Sequence, residues 1–378
     1  MKERKLITLL IAMAVCLILI EICWSSLWGN ARVLMEGIAE LSSSNMSTPI
    51  ITRGGDVENS NSYTNHTKRS SSNRPRFRHE NLSFVECPPI KSFHNSEIVN
   101  PHDFELLQNE YDRCRRDANG ELKSVFVMIM VASNPLNFKR RSVYRKLMQQ
   151  AIKNRERRIQ YVFLIGKTSN ETINTKIDRE IQTHRDILQE DFGDSSYNLT
   201  LKTIMGIKWA GVYCPEASWV MKCHDDVFIN FHHLIESLET VDPTRKVLIG
   251  YRKLNDTPVR DPESKRFVPK EQFSRATYPP YVNGHSYVIS GCLTTWLFKE
   301  SLAVPYIPLE DVFVGIVAER LGISVLHSHI YFPEKLDNGV TYFYPGIAMH
   351  LKRPDNLDQY MKEYKTFLAQ YNATHLYP

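Results

Sequence analysis

From residue 124 onward, short continuous apolar runs alternate with amphipathic stretches. Residues 124–132 (Ser-Val-Phe-Val-Met-Ile-Met-Val-Ala) and 159–166 (Ile-Gln-Tyr-Val-Phe-Leu-Ile-Gly) are rich in β-branched and aromatic side chains, as expected of strands buried on both faces. Residues 138–154, 172–188 and 199–212 space their apolar side chains as helices do, the first with a basic outer face. The run that begins at Trp219 (Trp-Val-Met-Lys-Cys-His) is a further strand, and residues 227–238 read as the helix behind it. Residues 247–251 return to strand, a polar insertion lasts to Ala276, residues 278–290 are strand again, and a helix begins near Asp311. Strands alternating with helices predict an α/β domain with a mostly parallel sheet, right-handed crossovers and helices on both faces. No internal repeat is visible.

The N-terminal part has a different texture. Lys2, Arg4 and Lys5 precede an uncharged run over residues 6–20, and after Glu21 the apolar character resumes as far as Trp28. The uncharged run alone is short for a bilayer span, which leaves a cleaved signal peptide, with a mature end near residues 25–31, as an alternative. Trp24 and Trp28 suit an interfacial belt and the leading basic residues favour a cytosolic start, so the expectation is a tail over 1–5 and an uncleaved signal-anchor helix over 6–28. Residues 29–85, dominated by Ser, Asn, Thr and Arg, cannot bury a core and read as a flexible stem, leaving 86–378 as one lumenal catalytic domain. Sequons at Asn45, Asn65, Asn81, Asn170, Asn198, Asn255 and Asn372 fit a lumenal chain. The expected address is therefore a single-pass type II protein of the Golgi membrane. A net charge of +5 is too mild to indicate nucleic acid, and the cluster of Arg74, Arg76 and Arg78 reads as solvated linker. Of seven cysteines, Cys16 and Cys23 fall in the anchor, and the odd remainder leaves one of Cys87, Cys114, Cys214, Cys223 and Cys292 unpaired in the chain; Cys87 with Cys114 is the first expected pair.

Three constellations carry chemistry. Asp225 and Asp226 end the Trp219 strand, where α/β sheets bind ligands, and hard oxygen ligands there suit Mn²⁺ or Mg²⁺ shared with substrate phosphates. Two bare aspartates are more commonly a strand end or helix cap. Glu310 and Asp311 open an apolar helix, where capping is the competing role. Tyr278-Pro-Pro-Tyr-Val-Asn-Gly-His-Ser-Tyr offers a rigid entry, Tyr281 as an aromatic face for a sugar, and Gly284 for close backbone approach, and alone it is only a turn before a strand. His350 is a candidate third metal ligand, though a lone histidine is commonly structural.

Taken in order, these residues resemble the β1,3-glycosyltransferases of glycosyltransferase family 31, the β1,3-galactosyltransferases and β1,3-N-acetylglucosaminyltransferases. The likeness runs from about Val125 to Tyr364: Arg141-Ser-Val-Tyr-Arg145, Phe163-Leu-Ile-Gly166, Asp186-Ile-Leu-Gln-Glu-Asp-Phe-Gly, Asn198-Leu-Thr-Leu-Lys-Thr203, the Trp219 strand, the Tyr278 block and Glu310-Asp-Val-Phe-Val-Gly315. Departures accompany it. His224 replaces the first acid of the metal motif, Ser196 stands where the family has Tyr, Leu147-Met148 replaces Thr-Trp, and Val282 and His285 replace Cys and a small residue.

The resemblance implies a GT-A-like, Rossmann-type fold and an inverting transfer from an α-linked UDP-sugar to the 3-hydroxyl of an acceptor glycan on protein or lipid, galactose being the first expectation among galactose, GlcNAc and GalNAc. Asp311 would be the general base. Asp226, with His350, would hold the metal, and Arg141, Arg145, Asp191, Lys202, Asp225, Tyr281, Gly284 and Glu310 would line the donor site. A homodimer stays open. Two other readings remain: a lumenal carbohydrate-binding or chaperone-like protein that kept the fold without turnover, and a secreted hydrolase.

Overall fold

The computed structural model describes residues 97–114, 125–153, 159–331 and 346–350, with isolated positions between 359 and 369. The expected tail, anchor and stem lie outside the described residues, as does Cys87. Among the described residues no helix is long and apolar enough to cross a membrane.

The elements, in chain order, are β1 (Leu106–Gln108), β2 (Val127–Ala132), α1 (Phe138–Lys153), β3 (Ile159–Lys167), α2 (Glu171–His184), β4 (Ile187–Gly193), α3 (Leu199–Tyr213), β5 (Trp219–His224), β6 (Val227–Ile229), α4 (Phe231–Glu239), β7 (Val247–Lys253), β8 (Tyr281–Ser290), α5 (Thr294–Ser301), α6 (Glu310–Arg320), β9 (Ser324–His327) and β10 (Ala348–His350). Eight strands form one sheet in the order β1-β4-β3-β2-β5-β8-β7-β9, and β10 pairs with β6 in a second, two-stranded sheet. Strands β4, β3, β2 and β5 run parallel, whereas β1 against β4, β5 against β8 and β8 against β7 are antiparallel. Strand β9 is parallel to β7, so β2, β3, β4, β5, β7 and β9 share one direction and β1 and β8 oppose it: the sheet is mostly parallel, as expected, with two antiparallel strands. Alternation of strand and helix breaks between β7 and β8, which are joined by the polar insertion, a connection that carries no crossover helix.

Alternate residues of each central strand feed opposite cores, which is why these strands read as unbroken apolar runs. Met128 and Met130 of β2, Val162 and Leu164 of β3 and Val220 of β5 join one cluster with α3, α5 and α6. Val127, Ile129 and Val131, Tyr161, Phe163 and Ile165, and Trp219 and Met221 join the other with α1, α2 and α4. Helices thus cover both faces, as expected.

Three boundaries differ from the sequence reading. Helix α2 stops at His184 because Arg185 turns left-handed (φ 49°) and donates its N–H to Ile181 O. Residues 187 and 188, expected in that helix, begin β4 instead. Residues 227–229, expected as helix, form β6, and Asn230 then caps α4 by accepting from His233 N. The expected Cys87–Cys114 bridge is replaced by Cys114–Cys214 (Cα–Cα 5.1 Å), which ties the turn after β1 to the C-cap of α3. Cys292 is disulfide-bonded as well, and Cys223 is the buried free thiol among the described residues.

Candidate active site

The chain lays β3 and β4 on one side of β2 and then returns to place β5 on the other, so a crevice opens between the carboxyl ends of β2 and β5. Ala132 and His224 are paired at that end, followed by Ser133, Asn134 and Asn137 on one side and Asp225 and Asp226 on the other. The buried carboxylate of Asp225 accepts hydrogen bonds at Oδ2 from Ser133 Oγ (2.6 Å) and Asn137 Nδ2 (2.8 Å), and at Oδ1 from Arg140 Nη1 (3.2 Å). Its lone pairs are spent on holding the β2 loop. Asp226 is differently placed: Oδ1 is buried without a hydrogen-bond partner, while Oδ2 faces His350 Nε2 at 3.6 Å and Arg140 Nη1 at 3.7 Å. His350 arrives because β10 runs antiparallel to β6 with His350 opposite Val227, the residue after Asp226.

A second set of contacts joins β5, β8 and α6. Lys222 is fully buried, and its ammonium donates to Glu310 Oε2 (2.7 Å), to Gly284 O (2.7 Å) and to His224 Nε2 (2.9 Å). An ammonium has no lone pair to offer, so His224 Nε2 is the acceptor and the imidazole carries its proton on Nδ1. Burial and then the Lys222 charge hold His224 well below the usual histidine range, which agrees with a neutral ring. Tyr287 Oη donates to Glu310 Oε1 at 2.5 Å, so both oxygens of this buried carboxylate are occupied. Asp311, the next residue, is half-buried; Gly284 N donates to its Oδ2 (3.2 Å) and Val312 N to its Oδ1 (3.0 Å). Burial first, and the neighbouring Glu310 charge second, push its carboxyl above the ordinary aspartate value. The helix N-cap is Leu309, so Asp311 is not the cap. A side chain at Gly284 would bring its Cβ to 3.1 Å from Glu310 Oε2 and 3.3 Å from Asp311 Oδ2, so the glycine is what lets β8 approach the two acids.

Residues 139–329, half of the chain, match the family model described as Galactosyltransferase. The chain belongs to the galactosyltransferase family. It is 40% identical over 238 residues to beta-1,3-galactosyltransferase 5 of Homo sapiens, covering 62% of this chain and 77% of that protein. The Gorilla gorilla gorilla protein of the same name is 39% identical over 274 residues (72% and 90% covered), and beta-1,3-galactosyltransferase 1 of Mus musculus is 31% identical over 261 residues (68% and 78%). A crystal structure of the galactosyltransferase LgtC in complex with donor and acceptor sugar analogues aligns with a TM-score of 0.35 at 13% identity, over 63% of this chain and 95% of that one. The family match and the named relatives make this chain a glycosyltransferase, which sets aside the hydrolase reading. The matched region of the galactosyltransferase domain includes Asp225, Asp226, Glu310 and Asp311 and stops before His350.

Within the galactosyltransferase domain, the other expected donor-site residues divide between crevice and scaffold. Arg141 is fully buried, bound to Glu180 (2.6 Å), Asn134 O, Pro135 O and Ser133 Oγ; Arg145 grips Asp186 through two nitrogens (2.7 and 2.8 Å) and Glu180. Their donors are committed, so they brace the β2 loop and α2 and do not face the crevice. Lys202 is likewise buried between Ser133 O (2.6 Å) and Asp194 Oδ2 (2.8 Å). Asp191 accepts from Glu105 N (2.9 Å) at the β1–β4 edge, and none of its described contacts joins it to the Asp225 group. Tyr281 is buried with its hydroxyl on Asp256 Oδ2 (2.5 Å), anchoring the insertion before β8. Sequence reasoning passed over Arg140, Ser133, Asn137 and Lys222. For Lys222 there was a signal, a lysine in the middle of a strand otherwise buried on both faces. The rings of His224 and His285 lie 5.6 Å apart and those of His285 and His350 4.6 Å, so two of the departures from the family pattern are neighbours in space.

Among the described residues no group of three His, Cys, Asp or Glu side chains is gathered around one point for a metal. Asp226, with its unsatisfied buried oxygen, and His350 beside it make a two-ligand donor set, which fits a hard divalent cation that completes its shell with phosphate and water.

Proposed function

We propose that this domain transfers galactose from UDP-galactose to the 3-hydroxyl of an acceptor glycan on protein or lipid, with inversion, giving a β1,3 linkage. Relatives named beta-1,3-galactosyltransferases support the sugar and the linkage. The observation that carries the mechanism is the division of labour between adjacent acids: Glu310 is consumed by Lys222 and Tyr287, whereas Asp311 is partly open with a raised carboxyl. Asp311 takes the proton of the attacking hydroxyl as its oxygen bonds to the anomeric carbon, and the bond from that carbon to the β-phosphate oxygen breaks with its electron pair leaving on UDP. Asp226 and His350 would hold Mn²⁺ or Mg²⁺, which supplies charge neutralisation to the diphosphate. Asp225 keeps the β2 loop folded against β5, and Lys222 fixes α6, and so Asp311, relative to the same strand.

Mn²⁺-dependent UDP release from UDP-galactose with a panel of β-galactoside, GlcNAc and GalNAc acceptors tests this reading. Release with UDP-GlcNAc or UDP-GalNAc but not UDP-galactose would reassign the donor, and no release with any donor would return the chain to the binding-protein reading. The apolar run at 6–28 and the sequons support a type II protein of the Golgi membrane, for which the expected result is protease protection of the domain in intact microsomes.

A further inference from the structure

Two arginines stand side by side on the first turn of α1 and meet opposite fates. Arg141 is sealed in the core with its donors committed. The Arg140 side chain is 29% exposed, with Nη1 at 3.2 Å from Asp225 Oδ1 and 3.7 Å from Asp226 Oδ2, and it makes no other hydrogen bond to a described residue. The remaining cations of this end of the sheet, Lys202 and Lys222, are buried and bonded within the fold. Arg140 is therefore, among the described residues at the Asp225–Asp226 pair, the cation with N–H groups to spare for something entering from solvent. Guanidinium presents donors in a planar fork that matches phosphate oxygens.

We propose that Arg140 binds the diphosphate of the nucleotide donor, and that it competes with a divalent cation for Asp226. The inference rests on the nucleotide-sugar reading above. A cation held by Asp226 would repel the guanidinium lying 3.7 Å from the same carboxylate, which would leave the unused donors of the fork for phosphate oxygens entering the crevice. As the sugar–phosphate bond breaks and its electron pair passes to the β-phosphate oxygen, the hydrogen bonds from Arg140 strengthen with the growing charge. No proton moves, because guanidinium stays protonated.

The two halves of the proposal predict opposite signs for one substitution. In Arg140→Gln, Mn²⁺ alone should bind more tightly, by about threefold or more, since a competitor for Asp226 is gone; UDP at saturating Mn²⁺ should bind about tenfold more weakly, the cost of a charged hydrogen-bond pair. Arg140→Lys keeps the charge without the fork and should fall between on UDP while leaving Mn²⁺ binding close to wild type. Calorimetry on the full-length chain reads both affinities, and thermal melting checks the fold, which should survive because Asp225 retains Ser133 and Asn137. If the Gln variant melts early, the Lys variant carries the UDP comparison. UDP affinity unchanged in Arg140→Gln would overturn the proposal, leaving Arg140 as a clamp on Asp225; so would parallel loss of Mn²⁺ and UDP binding, the mark of a collapsed site. A wild-type chain that binds Mn²⁺ but no UDP would overturn the donor reading itself, and that result is obtained before any substitution is made.

Discussion

At the scale of single residues, the site turns on which of two consecutive acids keeps a free role. Asp311→Asn removes basicity while preserving size, and a general base contributes roughly 10² to 10⁴ in rate, so turnover should drop by about that factor with UDP affinity nearly unchanged. Since the fold disfavours the charged form of Asp311, the neutral variant should melt at the same temperature or higher. The raised carboxyl also has a kinetic signature: kcat/KM should fall as pH drops through a value above the ordinary aspartate 3.8, and that acid limb should vanish from the residual activity of the Asn variant. Near-normal turnover in Asp311→Asn would move the base elsewhere. Lys222→Met tests the other acid. It strands Glu310 as an unpaired buried carboxylate, a loss of about 3–5 kcal/mol, and should show as a large fall in denaturation midpoint together with lost activity; a wild-type midpoint would mean that the ion pair is not holding α6.

At the scale of elements, catalytic geometry depends on how closely α6 lies on β8. A Cβ at Gly315 would collide with Tyr281 Cβ and lie 3.1 Å from Pro280 O, so Gly315→Ala must lift the helix that carries Asp311. The expected outcome is a destabilisation of about 1–3 kcal/mol accompanied by a fall in kcat, measured by denaturation and initial rates on the same preparation; an active protein of unchanged stability would show the packing to be slack. Legibility followed the same contacts. Strands β2, β3 and β5 were visible because both of their faces are buried. Strand β6 was not, because three residues mean nothing without β10, which reaches them from the far end of the chain. Strand β4 was hidden by Gln189, Glu190 and Asp191, polar residues whose side chains Gly166, His102 and Glu105 satisfy. The acids of the site could be found by their chemistry. Their hydrogen bonds could not: Arg141, expected at the donor site, lies in the core, and Arg140, which was passed over, lies beside Asp225, because one step along a helix, about 100°, separates crevice from core.

At the scale of the whole molecule, stability is tied to redox state and to acidity. The Cys114–Cys214 bridge closes a loop with a sequence separation of 100, for which loop-closure entropy gives about 4–5 kcal/mol, so a Cys114→Ser, Cys214→Ser double variant should lose about 2–5 kcal/mol by chemical denaturation; no loss would show that the sheet alone fixes the α3 end. His224 is held neutral in the fold, with its value depressed below 6.5, so the unfolded chain binds more protons in that window. Stability should accordingly decline as pH falls below about 6.5, and His224→Gln should flatten that decline in melts taken across the acid range. The pairing of β10 with β6 bears on how the enzyme is made as well as on how it works. The ribosome releases Asp225 and Asp226 long before it releases His350, so a nascent or prematurely ended chain can complete the eight-stranded sheet and one core, while the other core lacks Ile347, Ala348 and Met349 and the crevice lacks one of its two expected metal ligands. Competence to transfer sugar is therefore expected to be a late event in biosynthesis, and a chain cut before Ala348 is expected to keep its sheet, to be looser in the core around β6, and to be inert.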